Sequence, residues 1–175
     1  KYFLKLHNYR IHLIFYQTHY HLFSTAEHDT VIYAVFNEIL PEEGVPDAGR
    51  NGCANVVRFA LQGGRAYDLV SFEPYTYRYI QIVSMYAPCL ITNVSQLREV
   101  YNEKLLTNLR KMPDGELQEI YDAAVESFVQ NSTDIFMDCP SRERAGWLCD
   151  SFFTSKVEKE LTGNSIVEHN FLENF

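Results

Sequence analysis

The sequence predicts an α+β chain in which an antiparallel β-sandwich portion comes first and helices follow. Three observations carry this. From residue 1 to about 86 the apolar residues fall in short runs of aromatic and β-branched types, with no helical run between them, and beyond residue 113 they recur at three and four. At 175 residues, 46% hydrophobic and 14% aromatic, the chain has the composition of a globular protein with a core to bury.

The runs IHLIFY, VIYAVF, ANVVRFAL and YRYIQIVSMY read as strands, and so does the opening stretch KYFLKLHNYRIHLIFYQTHYHLF. Lys5, His7, Arg10 and His12 interrupt that stretch, which excludes both the apolar core of a signal peptide and a membrane span. Between the runs, PEEGVPDAGRNG carries Pro41, Gly44, Pro46, Gly49 and the Asn51-Gly52 pair, so a loop with tight turns is expected there, and Gly63-Gly64 marks a second turn. The sandwich portion is expected over 1–87. Residues 88–112 read as a linker with a short helix around VSQLREVYNEKLLTNL, ended by Pro113.

Helical spacing then takes over from 113 to 175. Asp114 can cap a first helix whose stripe is Leu117, Ile120, Ala124, Val125, Phe128 and Val129. SFFTSKVEKELTG gives a second, with Gly163 placed to end it in a left-handed conformation. Ser165 and Glu168 form a Ser-x-x-Glu capping box for a third, with Ile166, Val167, Phe171, Leu172 and Phe175 as its apolar face. Three helices with broad apolar faces call for partners, and the pattern stops in mid-course at Phe175. The expectation is a piece of a longer protein whose further helices complete the helical core.

The net charge of −8, from 15 Lys+Arg against 23 Asp+Glu, speaks against a nucleic-acid partner, which needs a basic face, and favours neutral ligands. Cys53, Cys89, Cys139 and Cys149 have no structural-zinc spacing and read as free thiols, with a Cys139–Cys149 bridge left open. His19-Tyr20-His21 places two imidazoles on one strand face, read as an incidental pair rather than a metal site. No cofactor, metal or membrane partner is expected. The compartment stays open among periplasmic, secreted and cytoplasmic.

The stretch MDCPSRERAGWLCD, residues 137–150, concentrates the chemistry. Pro140 and Gly146 break helical spacing, so 138–149 reads as a loop joining a helix that ends near Phe136 to one that starts near Asp150. Asp138, Glu143 and Asp150 could converge there on one pocket, and crowding and burial raise a carboxyl pKa toward that of a working acid. Arg142 and Arg144 oppose this, so a proton on Glu143 requires at least one arginine to pair with an aspartate instead. Trp147 offers an apolar face and one N–H donor, suited to lie against a sugar ring. The plain alternative is a solvated SRER loop and a core tryptophan.

The run Asp138-Cys139-Pro140-Ser141-Arg142-Glu143-Arg144-Ala145-Gly146-Trp147-Leu148-Cys149-Asp150 resembles the Asp-Cys-Pro…Glu…Gly-Trp…Asp motif of the α-L-rhamnosidases, glycoside hydrolase family 78. FEPYTYRYIQIV, residues 72–83, resembles the last strands of that family's β-sandwich, and ELQEIYDAAVESFVQNSTDIF the first helix of its catalytic (α/α)6 toroid. The similarity runs over about 31–175. It implies a fold of β-sandwich portion followed by the first helices of an (α/α)6 toroid, an inverting hydrolase acting on terminal α-L-rhamnose, and no cofactor. It makes Glu143 the general acid, Asp138, Arg142 and Asp150 sugar-binding residues, and Trp147 a wall of the pocket. Many members carry an extra acidic residue between the arginine and the glutamate, and a glycine where Cys149 stands. The family's second glutamate, the base, comes from a later helix and has no match after Asp150, so the 175 residues are expected to be inactive by themselves. The rival expectation is a non-catalytic carbohydrate-binding or structural β-sandwich protein.

Overall fold

The computed structural model of the chain describes residues 4–6, 8–12, 17–42 and 44–174, in two compact units, Lys1–Glu99 and Val100–Phe175. The first unit contains nine strands among the described residues: β1 Leu4–Leu6, β2 Asn8–His12, β3 Gln17–Ala26, β4 Thr30–Asn37, β5 Val56–Leu61, β6 Arg65–Val70, β7 Tyr75–Thr76, β8 Tyr79–Ser84 and β9 Cys89–Arg98. One sheet has the order β1-β9-β3-β6, with β7 also paired to β3, and the other the order β2-β8-β4-β5. Every pair is antiparallel.

Alternation decides which side chains meet between the sheets. On β4, Ile32, Ala34 and Phe36 are buried and stand opposite Ser84, Ile82 and Ile80 of β8. Leu22 and Ala26 of β3 and Cys89 of β9 come from the other sheet into the same apolar cluster, which makes the unit a two-sheet sandwich. Phe36 sits at its centre, its ring 4.4 Å from that of Tyr75 and 5.9 Å from that of Tyr77. Burying a side chain of that size contributes about 1.5–3 kcal/mol. The expected turns form at Gly63-Gly64 and around Arg50–Gly52. In the run IHLIFY, residues 13–16 lie outside the described residues.

The short helix expected within 88–112 is not what forms. Cys89–Arg98 is a ten-residue strand that pairs with β3 from Thr18 to Ala26, with a bulge at Thr92 whose hydroxyl donates to the Phe23 carbonyl at 3.3 Å. Leucine and valine at helical spacing lose here to a long-range ladder that satisfies the same backbone groups. The helical reading survives only as a 3-10 turn at Glu103–Leu105, where the Asn102 side chain accepts from the Lys104 N–H at 3.3 Å.

The second unit has α1 at Gly115–Asn131, α2 at Leu148–Thr162 and α3 at Ile166–Leu172. Asp114 caps α1 as expected, accepting from the Leu117 N–H at 2.9 Å. Gly163 ends α2 with φ 71°. Tyr101, Phe128, Val129, Phe136, Leu161, Val167 and Phe171 form the core. The α1 stripe is therefore buried only near its C-terminal end, while Leu117 and Ile120 remain 46% and 65% exposed.

Two features of the helices were not foreseen, and one of them corrects an expectation. The buried positions of α2 are mostly polar, namely Ser151, Ser155, Glu158 and Thr162 beside Leu161, whereas Phe152, Phe153 and Val157 are exposed. The Ser-x-x-Glu box at Ser165 does not close, because Ser165 makes no capping bond. Glu158 takes that role from α2: its Oε1 accepts from the Val167 N–H at 2.9 Å and its Oε2 from the Glu168 N–H at 3.1 Å. On α3, Val167 and Phe171 point into the core and Ile166 and Leu172 do not; Phe175 lies outside the described residues.

Candidate active site

The loop from Ser132 to Trp147 is built on two short closures. Ser132 and Phe136 form an antiparallel bridge, and the Met137 N–H donates to the Asn131 carbonyl at 2.8 Å, so α1 ends at Asn131 rather than near Phe136. Asp138 then closes the second loop on itself: its N–H donates to the Ala145 carbonyl at 3.0 Å, and its Oδ1 accepts from the Ala145 N–H at 3.1 Å. The Cys139 thiol donates to the other oxygen of Asp138 at 3.1 Å. Burial pushes the Asp138 carboxyl upward, but the hydrogen bonds from the Cys139 thiol and from the amides of Ala145, Cys139 and Asp138 outweigh it and hold the group below its usual value.

Glu143 stands on the outer turn of this loop. Its Oε1 lies 2.9 Å from Nη2 of Arg142, and its Oε2 accepts from the Trp147 indole N–H at 3.0 Å. The Glu143 N–H is directed at the Cys139 sulfur at 3.4 Å. Arg142 also reaches Asp138, 3.8 Å away, and Cys139 first and Glu143 next hold its guanidinium above the ordinary arginine value. Arg144 takes a left-handed backbone, φ 52°, and its Nη1 donates to the Arg142 carbonyl at 3.3 Å.

Gly146 is needed for close approach. A Cβ there would lie 2.5 Å from Cε2 of Phe171 and 3.4 Å from the Phe136 carbonyl oxygen. The ring of Phe171 thus lies directly behind the loop that carries Glu143 and Trp147.

Asp138 and Asp150 share a cleft of about 790 Å³ between α1 and α2, with Phe128, Phe153, Val157 and Glu160 in its lining. Glu143, Arg142 and Trp147 are not part of that lining. The three carboxylates therefore do not converge on one pocket: Asp138 and Asp150 face the cleft, and Glu143 is tied to Asp138 through the shared guanidinium of Arg142. Asp150 belongs to the first turn of α2, which begins at Leu148 behind Trp147.

All four cysteines are free thiols. His19 and His21, read as an incidental pair, each find a carboxylate that sequence distance conceals: His19 Nε2 is 3.3 Å from Glu99 Oε2, and His21 pairs with Asp68. Among the described residues no group of three or more His, Cys, Asp or Glu is arranged to hold a metal ion, and no helix is long and apolar enough to cross a membrane. Sequence reasoning missed Glu158 and the thiol of Cys139. The available signal for Glu158 was a carboxylate set between Val157 and Leu161, one turn from Ser155 and Thr162 on the same helix.

Residues 111–175 match the family model of the bacterial α-L-rhamnosidase six-hairpin glycosidase domain. Among solved structures, a glycoside hydrolase family 78 rhamnosidase of Bacillus sp. GL1 superposes with a TM-score of 0.67 at 21% identity, over 93% of this chain and 17% of that one. A rhamnosidase from Klebsiella oxytoca with rhamnose bound gives 0.62 at 16% identity, over 93% of this chain and 34% of that one. The chain thus spans about a sixth and a third of those two proteins. No curated protein matches the sequence. Residues 111–175 thus resemble the bacterial α-L-rhamnosidase six-hairpin glycosidase domain in sequence, most of the chain shares the fold of the two rhamnosidase structures, and the α+β fold class is borne out.

Proposed function

We propose that the chain forms part of an inverting glycoside hydrolase that removes terminal α-L-rhamnose from glycosides or polysaccharides, with Glu143 as the general acid. The observation that carries this reading is the setting of Glu143: a half-exposed carboxylate between a guanidinium and an indole N–H, inside the segment that matches the rhamnosidase domain. Arg142 links the two carboxylates of the loop. Its guanidinium lies 2.9 Å from Glu143 and 3.8 Å from Asp138, within reach of both carboxylates. The indole N–H of Trp147 fixes the other oxygen and orients the group.

In the reaction, the proton of the Glu143 carboxyl passes to the glycosidic oxygen as the C–O bond breaks and positive charge spreads over the ring. Water then adds at the opposite face of the sugar, giving its proton to a second carboxylate. In this reading Asp138, Asp150 and Arg142 bind hydroxyls and Trp147 lies against the apolar side of the ring. Three of the four later glutamates have other partners, which supports placing the base outside this segment: Glu158 caps α3, Glu160 pairs with Arg110, and Glu173 lies 3.9 Å from His169.

A panel of aryl glycosides given to the natural full-length protein tests the reading, with proton NMR of the released sugar. Cleavage of the α-L-rhamnoside with inverted anomeric configuration is the expected result. Cleavage of a different sugar, or retention, overturns the substrate or the mechanism, and no cleavage by folded protein returns the chain to the binding-module reading.

A further inference from the structure

Glu158 has no part in the proposed chemistry, yet it is fully buried and its carboxylate is engaged by backbone donors of another helix. It receives the second and third amide N–H groups of α3, those of Val167 and Glu168, and the Tyr101 hydroxyl lies 3.5 Å from Oε1. A buried carboxylate without such donors would carry a large desolvation cost, so the three together fix where α3 begins.

From there α3 reaches the loop directly. Phe171, one turn beyond Val167, presses its ring where a Gly146 Cβ would stand and lies 6.0 Å, centroid to centroid, from Phe136. Asn170 donates from Nδ2 to the Asp134 carbonyl at 2.6 Å, at the other end of the same loop. Both ends of the segment that carries Glu143 thus rest on a seven-residue helix, too short to hold its own position.

We propose that Glu158 is a positioning residue for Glu143: by capping α3 it sets Phe171 against Gly146, and thereby places the loop in which the Trp147 indole N–H meets the Glu143 carboxylate. This rests on the reading of Glu143 as the acid for its catalytic meaning, but the linkage itself is structural and can be read without turnover. The consequence is specific. Loss of the Glu158 cap disturbs the Trp147–Glu143 bond more than an equal loss of stability elsewhere in the same core.

Trp147 is the only tryptophan, so its indole N–H gives one resonance in a ¹H–¹⁵N spectrum of the chain. In the wild type that resonance should have the position of a hydrogen-bonded indole, and Glu143→Ala should move it to that of a free one. Glu158→Ala should shift the resonance toward that of a free, water-exposed indole and speed its exchange, with Glu158→Gln, which keeps one acceptor oxygen, in between. Val129→Ala, a cavity in the same core on α1, should lower the melting temperature and leave the resonance in place. If Glu158→Ala does not fold, Gly146→Ala should displace the resonance and Gly146→Ala with Phe171→Leu should restore it.

A wild-type resonance in folded Glu158→Ala, an equal shift in Val129→Ala, or no restoration in the double variant overturns the proposal. Failure of the acid reading looks different: Glu143→Gln in the full-length protein would then hydrolyse at the wild-type rate, whatever Trp147 reports. In that case Glu158 positions a loop that is not catalytic, and the assignment to the acid falls with it.

Discussion

At the scale of single residues, Asp138 is the lock of the loop and Glu143 its projecting group. The two carboxylates lie five positions apart, but four polar hydrogens surround the first, while the second is held from outside by Arg142 and Trp147. Asp138→Ala leaves the Ala145 N–H without its acceptor and should cost about 1–3 kcal/mol, read from urea melts of the chain. The sign of the pH effect follows from the direction of the shift. A carboxyl held below its unfolded value stabilises the fold above that value, and the contribution is lost as pH falls through the folded one, so Asp138→Ala should narrow its gap to wild type in acid. Tyr101 gives the opposite limb. Burial first, and the charge of Glu158 next, push its phenol up to about 12 from 10, so its contribution, on the order of 2 kcal/mol, is present below pH 10 and lost on the way to 12. Tyr101→Phe should remove that alkaline limb from the stability profile; an unchanged limb would mean that another group produces it.

At the scale of elements, caps and turns were the most legible features because each depends on neighbours in sequence. Asp114 and Gly163 stand where their chemistry predicts, and Asp114→Ala or Gly163→Ala should each lower stability by about 1 kcal/mol in thermal melts, the second because φ 71° crowds a Cβ. What was not legible depends on partners far away in the chain. Residues 94–98 carry helical spacing but lie beside β3, more than 70 positions earlier, and become a strand. The Ser165 box is chemically sound, yet a buried carboxylate on the preceding helix reaches the same amides first. The inward face of α2 was not read from the sequence at all: its buried positions are mostly small and polar, Ser151, Ser155 and Thr162 beside Glu158. Within the candidate site, the motif located the residues, but it could not divide them between the cleft of Asp138 and Asp150 and the outer turn of Glu143.

At the scale of the whole molecule, the chain joins a nine-strand sandwich, counted over the described residues, to a helical unit that bears the reactive loop. Phe152, Phe153, Leu148 and Ile120 leave a broad apolar surface on the helices, while the sandwich core is closed between its two sheets. The proposed chemistry lies entirely in the second unit, where residues 138–150 stand. The central claim is that Glu143 delivers the proton. The most direct test is the steady-state hydrolysis of an aryl α-L-rhamnoside by the full-length protein, wild type beside Glu143→Gln, with folding of both checked by circular dichroism. A fall in turnover of about 10²–10⁴-fold is predicted, the usual contribution of general acid catalysis. Turnover at the wild-type rate in the folded variant would contradict the claim.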